Sequence, residues 1–380
     1  MAMGQQASER GNSAHTASWQ TPPCVASGHE TRVGARREGV AVRHGDSRSY
    51  GVVICTYNRC SFAVEAVASV LAQTRPPDEV IVVDDGSSDG TAEVLRVAYP
   101  AVTVVEQPNR GRSIAVNRGV AVARSDWICL LDDDDLWHSE KLGEVDRYLD
   151  EHADCAAVNH PVWYFRTTPE GPVDNGFGSR VDFAAADLAA CHAAVADGDP
   201  SSNDSAYLRI HGDSYRRLLL QNAGAYSASV IKRDVFIAAG GVPPALTCAD
   251  DWTLFLNVAR LVEWHTLEKR LAFCRVHALR STASADNARA ILAAHLNVWY
   301  GGRAVPGHAV TTRDALDTAL REYQPAYGRL VQDLLWSSIR ARRWRLARDV
   351  RRLGRPLILG RWRWWSIQLP RRITGWRTRG

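Results

Sequence analysis

The densest group of chemically active side chains in the sequence is a run of four carboxylates at residues 132–135. The run comes directly after the apolar residues 127–131, so it stands at the end of a predicted buried strand. Adjacent carboxylates repel one another, and a hard divalent cation removes that repulsion while also holding substrate phosphates. The run therefore indicates either a metal site or a solvated acidic loop that caps the following helix.

A second acidic pair, Asp250 and Asp251, precedes the apolar residues Trp252, Leu254 and Phe255. A neighbouring charge raises the pKa of a carboxyl group toward the value that suits a general base. Carboxylates also cap helices, because they accept hydrogen bonds from the free backbone N–H groups of the first turn. The pair thus indicates either a general base or a helix cap.

Polar residues also follow three earlier apolar runs, at residues 51–55, 80–83 and 102–105. The residues that come after these runs are Thr56, Tyr57, Asp84, Asp85, Asn109 and Arg112. Amphipathic segments of helical spacing, residues 62–71 and 113–123, separate the runs. This alternation predicts an α/β fold with a mostly parallel central sheet flanked by helices. Since ligands of such sheets bind beyond the carboxyl ends of the strands, we expect all of these polar residues in one site.

Four segments carry a resemblance to a known family: VVICTYNR, VIVVDDGSSDGT, NRGRSIAVNRG and ICLLDDDDLWHSEKL. They occur in this order between residues 52 and 142. Together they resemble the N-terminal half of family 2 of the glycosyltransferases, which use nucleotide sugars on a Rossmann-like GT-A fold. The resemblance extends over roughly residues 50–280.

The resemblance implies roles for the residues at the strand ends. Thr56 and Tyr57 would line the nucleotide pocket, with Asp85 reading the edge of the base and Asp84 next to it. Arg112, together with Asn109, would lie near the nucleotide or its diphosphate.

The acidic residues acquire roles in the same way. The DxD motif of the family corresponds to Asp132 and Asp134. Asp134 would be the main ligand of Mn²⁺ or Mg²⁺, and Asp132 or Asp133 would face the ribose or the donor sugar. Asp251 would be the general base, with Asp250 beside it. His277, in a segment with Arg275, would approach the diphosphate, although a lone histidine of this kind is also often a packed or surface residue.

The implied function is transfer of a sugar from a nucleotide-diphosphate sugar to a hydroxyl of a glycan, a glycolipid or another glycoconjugate. The resemblance further implies inversion at the sugar carbon, assistance by a metal ion, and a place in polysaccharide or cell-envelope biosynthesis. Two alternatives are a sugar nucleotidyltransferase and a non-catalytic nucleotide-binding adaptor at a membrane surface. A nucleotidyltransferase usually has a Gly-rich loop after its first strand, where this chain has CTYNRC. An adaptor has no need of the two acidic groups.

Charge is unevenly distributed along the 380 residues, although the net charge is only +4. Residues 336–380 contain fourteen Arg, six Trp and one acidic residue, Asp349, and residues 331–353 show apolar positions at helical spacing. A basic amphipathic helix beside an Arg and Trp cluster is typical of contact with an anionic membrane surface. Packing of this segment on the rest of the chain is the next alternative, and nucleic acid is the least favoured partner.

The chain is expected to have three parts. Residues 1–48 are a flexible leader or the result of a mis-assigned start codon, 49–285 are the catalytic domain, and 286–380 are a helical, basic, Trp-rich extension. The catalytic domain has a nucleotide-binding half, residues 49–142, and an acceptor half, residues 143–285. Within the latter, residues 166–210 resemble an inserted loop, either an acceptor lid or a plain surface loop.

The scattered cysteines predict free thiols, and no apolar stretch is long enough to span a membrane. We therefore expect a cytoplasmic protein that contacts the inner face of the membrane peripherally.

Overall fold

The computed structural model describes residues 48–167, 181–195, 214–220, 222, 224–244, 250–277 and, near the C-terminus, 332, 335, 336 and 338–354. The predicted leader lies outside the described residues apart from Arg48, and so does most of the predicted extension. The three domain boundaries therefore stay predictions.

The described part of the chain contains eleven strands and nine α-helices. The strands are β1 (Tyr50–Thr56), β2 (Glu79–Asp84), β3 (Thr103–Glu106), β4 (Trp127–Asp132), β5 (Leu136–Trp137), β6 (Ala157–Asn159), β7 (Trp163–Arg166), β8 (Phe183–Ala184), β9 (Val230–Lys232), β10 (Trp264–Thr266) and β11 (Ala272–Arg275). The helices are α1 (Cys60–Leu71), α2 (Thr91–Ala98), α3 (Arg112–Val122), α4 (Lys141–Glu151), α5 (Leu188–Val195), α6 (Ser214–Leu220), α7 (Arg233–Ala238), α8 (Asp250–Ala259) and α9 (Trp344–Gly354). None of these helices has the length and apolar composition needed to cross a membrane.

A seven-stranded sheet in the order β10-β6-β9-β4-β1-β2-β3 forms the centre of the fold. Strands β1 to β4 are parallel, whereas β9 runs antiparallel to both of its neighbours. The predicted α/β fold with a mostly parallel sheet between helices is thus confirmed. Each of the four predicted strands is found within two residues of its predicted ends.

The connections between the first four strands determine where a ligand can bind. The chain proceeds outward from β1 to β3 and then returns to the other side of β1 to form β4. This reversal opens a crevice beyond the carboxyl ends of β1 and β4, the usual ligand site of such sheets. The register pairs Cys55 with Asp132 and Thr56 with Asp84, so the polar residues after these strands are neighbours.

Two apolar cores cover the two faces of the central sheet. Successive residues of β1 alternate between them, because side chains of a strand point to opposite faces. Val53 packs in the core that includes Val116 of α3 and Trp252 of α8. Val52 packs in the other core, together with Val67 of α1. Burial on both faces explains why these strands are apolar throughout.

A second sheet, β5-β11-β7-β8, lies beside the first. The sequence predicted a loop over residues 166–210, and this prediction is wrong for the described residues 181–195, which form β8 and α5. Phe183 and Cys191 pack against Phe165 and Phe273. Sparse apolar side chains among Ala, Gly and Asp gave little sign of this core. All six described cysteines are free thiols, as predicted.

Gly119 of α3 lets this helix approach the sheet closely. A Cβ atom at this position would lie 2.5 Å from Val53 Cγ1, in the middle of a packed core. We expect Gly119→Ala to be about 1–3 kcal/mol less stable than Gly143→Ala, because only the former overpacks the core. Gly143 of α4 is the matched control, since its Cβ would lie 3.7 Å from the nearest atom. Urea denaturation of both variants measures the difference, and equal midpoints would contradict the prediction.

Candidate active site

The acidic run forms a tight turn between β4 and β5, closed by a hydrogen bond from Asp135 N to Asp132 O of 3.2 Å. The turn brings together carboxylate oxygens of Asp132, Asp134 and Asp135, all within 4.8 Å of one another. Asp133 is not part of this group. Three clustered carboxylate oxygens suit a hard divalent cation, so these residues fit the metal that the resemblance implies.

Arg112 connects the two acidic groups of the sequence. Its Nε and Nη2 atoms donate to Asp132 Oδ1 at 3.0 and 2.7 Å, and its Nη1 donates to Asp250 Oδ2 at 2.8 Å. The guanidinium also stacks on the ring of Tyr226, 3.9 Å from its centroid. Burial by itself lowers the pKa of Arg112, but Asp132 and Asp250 raise it well above its usual value. Arg112 therefore stays charged and holds the two carboxylates together.

Arg59 neutralises the middle of the acidic run. Its Nη1 lies 2.9 Å from Asp133 Oδ1 and 3.2 Å from Asp134 Oδ2. Burial and the neighbouring Asp134 nevertheless raise the pKa of Asp133 to about 7. Arg59 is not among the predicted site residues, although it closes the TYNR part of the first segment. Its position just after the first strand was the signal that could have identified it.

Asp135 has a different environment from Asp132 and Asp134. Its two oxygens accept hydrogen bonds from Ser227 Oγ at 2.6 Å, from Cys274 Sγ at 3.2 Å and from Arg275 N at 2.9 Å. Asp135 therefore fastens the acidic turn to β11 and to the 3-10 turn Tyr226–Ala228.

Ser227 holds the acidic turn through hydrogen bonds to both of its ends, Asp132 and Asp135. Its hydroxyl contacts Asp135 and also Asp132 N, at 3.1 Å, while its carbonyl accepts from Trp137 Nε1 at 2.8 Å and from Lys141 Nζ at 2.6 Å. Lys141 is fully buried, and this burial lowers its pKa to about 7. A buried lysine of this kind carries no sequence signal, because a lysine at the start of a helix is normally exposed.

The acidic pair opens α8, and its two members point to different partners. Asp250 is buried and accepts from Arg112 and from Ser113 Oγ, at 3.1 Å. Asp251 accepts from Trp252 N at 2.7 Å and from Asn222 Nδ2 at 3.2 Å. Burial, followed by the charge of Asp250, raises the pKa of Asp251 to about 6. The contact with Trp252 N is a local one to the next residue in the first turn of α8, while the raised pKa is that of a base active near neutral pH.

The predicted nucleotide-binding residues lie together at the ends of β1 and β2. Thr56 is buried, whereas Tyr57 is 46% exposed. Asp84 accepts from Ser87 N at 2.8 Å. Asp85 accepts three hydrogen bonds from the loop after β3, given by Gln107 Nε2, Arg110 N and Gly111 N at 2.7–2.9 Å.

Asn109 belongs to this loop and is exposed. A Cβ atom at Gly86, whose φ is +85°, would lie 2.8 Å from Asn109 N, so the turn after β2 requires glycine here. Asp85 and Gly86 together fix the loop that carries Asn109 and leads to Arg112.

His277, two residues after the end of β11, contacts the acidic run. Its Nε2 lies 2.9 Å from Asp134 Oδ2, and its Nδ1 is buried with no hydrogen-bond partner among the described residues. The adjacent Arg275 is buried instead of facing the crevice. It donates to Asp134 O at 2.9 Å and to Thr167 Oγ1 at 2.6 Å, and it pairs with Glu65. The structure thus joins His277, but not the Arg275 guanidinium, to the side chains of the acidic cluster.

A Rossmann-like sheet with an acidic cluster at its switch point is the arrangement expected of a GT-A enzyme. Residues 51–193 match the model of the family described as Glycosyl transferase family 2. This match, together with relatives that are named as glycosyltransferases, identifies residues 51–193 as a family 2 glycosyltransferase domain. The match favours sugar transfer over the nucleotidyltransferase and adaptor hypotheses.

Relatives and solved structures agree with this assignment. An uncharacterized glycosyltransferase of Haemophilus influenzae is 23% identical over 62% of this chain and 71% of its own. The succinoglycan biosynthesis protein ExoO of Rhizobium meliloti is 40% identical over 29% of this chain and 31% of its own, so the chain spans only about a third of that relative. The mannosyltransferase PcManGT of Pyrobaculum calidifontis shares the fold, with a TM-score of 0.50 and 18% identity over 84% of this chain and 78% of its own.

Arg112 donates to Asp132 Oδ1, and Asp132 is also a candidate metal ligand. Arg112 and a metal ion would therefore compete for this carboxylate, and the competition can be tested. We expect Arg112→Gln to lower the melting temperature in the presence of EDTA, because Asp132 and Asp250 lose their shared cation. We expect added Mn²⁺ to raise that temperature more in the variant than in the wild type, because the metal then neutralises Asp132 without a competitor. Arg118→Gln, on the exposed side of the same helix, is the control. Equal Mn²⁺ shifts in the variant and the wild type would refute the competition.

The burial of Lys141 gives the protein a pH-dependent stability. A lysine whose pKa is lowered to about 7 in the folded state binds fewer protons there than in the unfolded state. Stability therefore rises with pH above about 7, by about 1–2 kcal/mol up to about pH 9. We expect Lys141→Met, which keeps the apolar stem against Trp137, to lose this rise. Denaturation curves at several pH values measure it, and an unchanged slope in the variant would exclude Lys141 as the cause.

Proposed function

We propose that this glycosyltransferase transfers a sugar from a nucleotide-diphosphate sugar to an acceptor hydroxyl, with inversion at the sugar carbon and help from one divalent cation. The observation that carries the proposal is the contact of Arg112 with both Asp132 and Asp250. This contact supports the proposal because it links Asp132, a candidate metal ligand, to Asp250, the neighbour of the candidate base Asp251. Metal, donor and acceptor hydroxyl can then meet at one point, as a single displacement requires.

Asp132 and Asp134 are the residues that we propose as ligands of Mn²⁺ or Mg²⁺. Asp135 lies in the same cluster, but its oxygens already accept from Ser227, Cys274 and Arg275. When bound, the cation stabilises the negative charge of the departing diphosphate as a Lewis acid. PcManGT, which shares the fold, was solved with GDP-Man and Mn²⁺, and this supports the choice of a divalent metal.

The nucleotide would bind over the ends of β1 and β2. Thr56 and Tyr57 line that pocket in the proposal, and the exposed ring of Tyr57 offers a surface on which a base can stack. Asp84 shapes the turn beneath the base. Asp85 reads the edge of the base with the lone pair that its three loop contacts leave, since a carboxylate accepts about four hydrogen bonds. Asn109 closes the pocket from the loop after β3.

The diphosphate would lie between this pocket and the acidic cluster. Arg112 and His277 border that position, and both already contact carboxylates of the cluster. Asp133 faces the ribose or the donor sugar in the proposal. Arg59 pairs with Asp133 and Asp134 and so holds the carboxylates in place.

Asp251 is the proposed general base. It takes the proton of the acceptor hydroxyl while that oxygen attacks the sugar carbon from the face opposite the diphosphate, and the bond to the diphosphate breaks. Attack from the opposite face inverts the configuration. Asp250, held by Arg112 and Ser113, lies next to Asp251, and burial together with this neighbouring carboxylate raises the pKa of the base.

The acceptor that we propose is a glycan or a lipid-linked sugar of the cell envelope, reached from the cytoplasmic face of the membrane. ExoO is named for succinoglycan biosynthesis, and this supports a role in polysaccharide assembly. The basic C-terminal segment supports an acceptor at a membrane surface.

Asp251→Asn tests the assignment of the base. We expect kcat to fall by about 10²–10⁴-fold, because an amide cannot take the acceptor proton, while the affinity for the donor is retained. In the wild type, the rate should rise with pH through about 6 as Asp251 ionises. Release of UDP or GDP from a panel of nucleotide sugars with Mn²⁺ gives the rate, and calorimetric titration gives the donor affinity.

Asp234→Asn is the matched control. Asp234 also stands at the start of a helix and accepts from the next backbone N–H, Val235 N, at 2.7 Å, but it is exposed and outside the crevice. Loss of this local contact in the first turn of a helix therefore affects both variants alike. A rate for Asp251→Asn close to that of Asp234→Asn would reduce Asp251 to a helix cap.

A further inference from the structure

A band of exposed arginines lies on the surface at the start of the last described helix. Arg340, Arg342, Arg343, Arg345 and Arg348 are all exposed, and we call them the arginine surface. Asp349 is the only acidic residue of the sequence between residues 336 and 354. Trp336, one turn before the band, is 47% exposed. The protein thus presents a concentrated positive charge with an aromatic ring beside it.

The opposite side of this segment packs on the catalytic domain. Leu335, Ala347 and Val350 are fully buried in the core that also contains Trp252 and Val258 of α8. Three of the apolar positions that the sequence shows at helical spacing, Leu335, Ile339 and Val350, are therefore used for docking within the chain. The arginines remain outside because a helix with a buried stripe must present its charged positions to solvent.

This arrangement changes what the segment can bind. A free amphipathic helix inserts its apolar face into the lipid interface, but here that face is already covered. What remains is a positively charged surface, and phosphate groups are its natural ligands, since arginine donates paired hydrogen bonds to them.

We propose that the arginine surface binds the anionic headgroups of a phospholipid membrane through charge, without insertion of α9. The exposed Trp336 favours a membrane over a nucleic acid, because tryptophan prefers the headgroup region. Binding of single-stranded nucleic acid relies on a groove lined by several stacking aromatics, and Trp336 is the only exposed aromatic among the described residues of this segment.

The packing of α9 couples this contact to the active site. Its buried residues share a core with α8, the helix that begins with Asp250 and Asp251. Membrane contact would therefore hold the proposed base at a fixed position relative to the lipid surface. This consequence rests on the proposed function, whereas the lipid contact itself does not.

Vesicle flotation of the full chain, without any donor sugar, tests the contact. We expect binding to phosphatidylcholine vesicles that contain about 30% phosphatidylglycerol and little binding to pure phosphatidylcholine, since the attraction is electrostatic. Raising the salt from about 0.1 to about 0.5 M should release the protein. The triple variant Arg340→Gln, Arg343→Gln, Arg345→Gln should bind the anionic vesicles at least about tenfold more weakly.

The control variant also removes three positive charges, but from a part of the surface outside the arginine surface. Arg96→Gln, Arg118→Gln and Arg124→Gln change three exposed arginines of the catalytic domain, and this variant should keep nearly all of its vesicle binding. Melting temperatures of both variants show that they are folded. The proposal is overturned if both triple variants lose vesicle binding equally, or if the wild type binds neutral and anionic vesicles equally well. It is also overturned if the wild type prefers an oligonucleotide to anionic vesicles. None of these results depends on sugar transfer, so the two proposals fail separately.

Discussion

The mutual repulsion of carboxylates gathered at one edge of a sheet is the constraint on which the rest of this structure depends. The acidic run alone would push the crevice apart, and Asp250 adds a further charge from a distant part of the chain. The Arg112 guanidinium resolves this by bonding Asp132 and Asp250 at once. Its position at the start of α3 depends on the loop that Asp85 holds. The Arg112 side chain thus connects the end of β4 to α8, the helix that begins with the acidic pair.

The acidic run divides into a fixed part and an available part. Asp135 is buried and hydrogen-bonded to Ser227 and to β11, and Ser227 is itself held by Trp137 and the buried Lys141. The carboxylates of Asp132 and Asp134 contact the side chains of Arg112, Arg59 and His277 at the crevice, and such contacts can be exchanged for other polar partners. Adjacent residues of the same type therefore have different environments, because the turn directs the Asp135 carboxylate inward and those of Asp132 and Asp134 toward the crevice.

The C-terminal segment shows how one helix can serve two purposes. Its apolar stripe stabilises the domain by packing beside α8, and its arginines form a charged exterior. The sequence presented membrane contact and packing as alternatives, whereas the structure makes them compatible, since they use opposite sides of the helix. Packing of the described residues on the domain covers the apolar stripe of α9, and the exposed arginines stay available for the proposed contact with headgroups.

The sequence by itself determined the four parallel strands β1 to β4, because runs such as residues 80–83 are long enough and apolar enough to form buried strands without further information. It also determined that Asp84, Asp132 and the other residues after those strands would meet, since parallel strands end at the same edge. Only the tertiary structure decided the partners of each charge. That Arg59 faces Asp133, that Arg275 is buried, and that Lys141 lies beneath the acidic turn depend on contacts between residues distant along the chain. Local patterns carry no information on such contacts, because they arise from packing and not from periodicity.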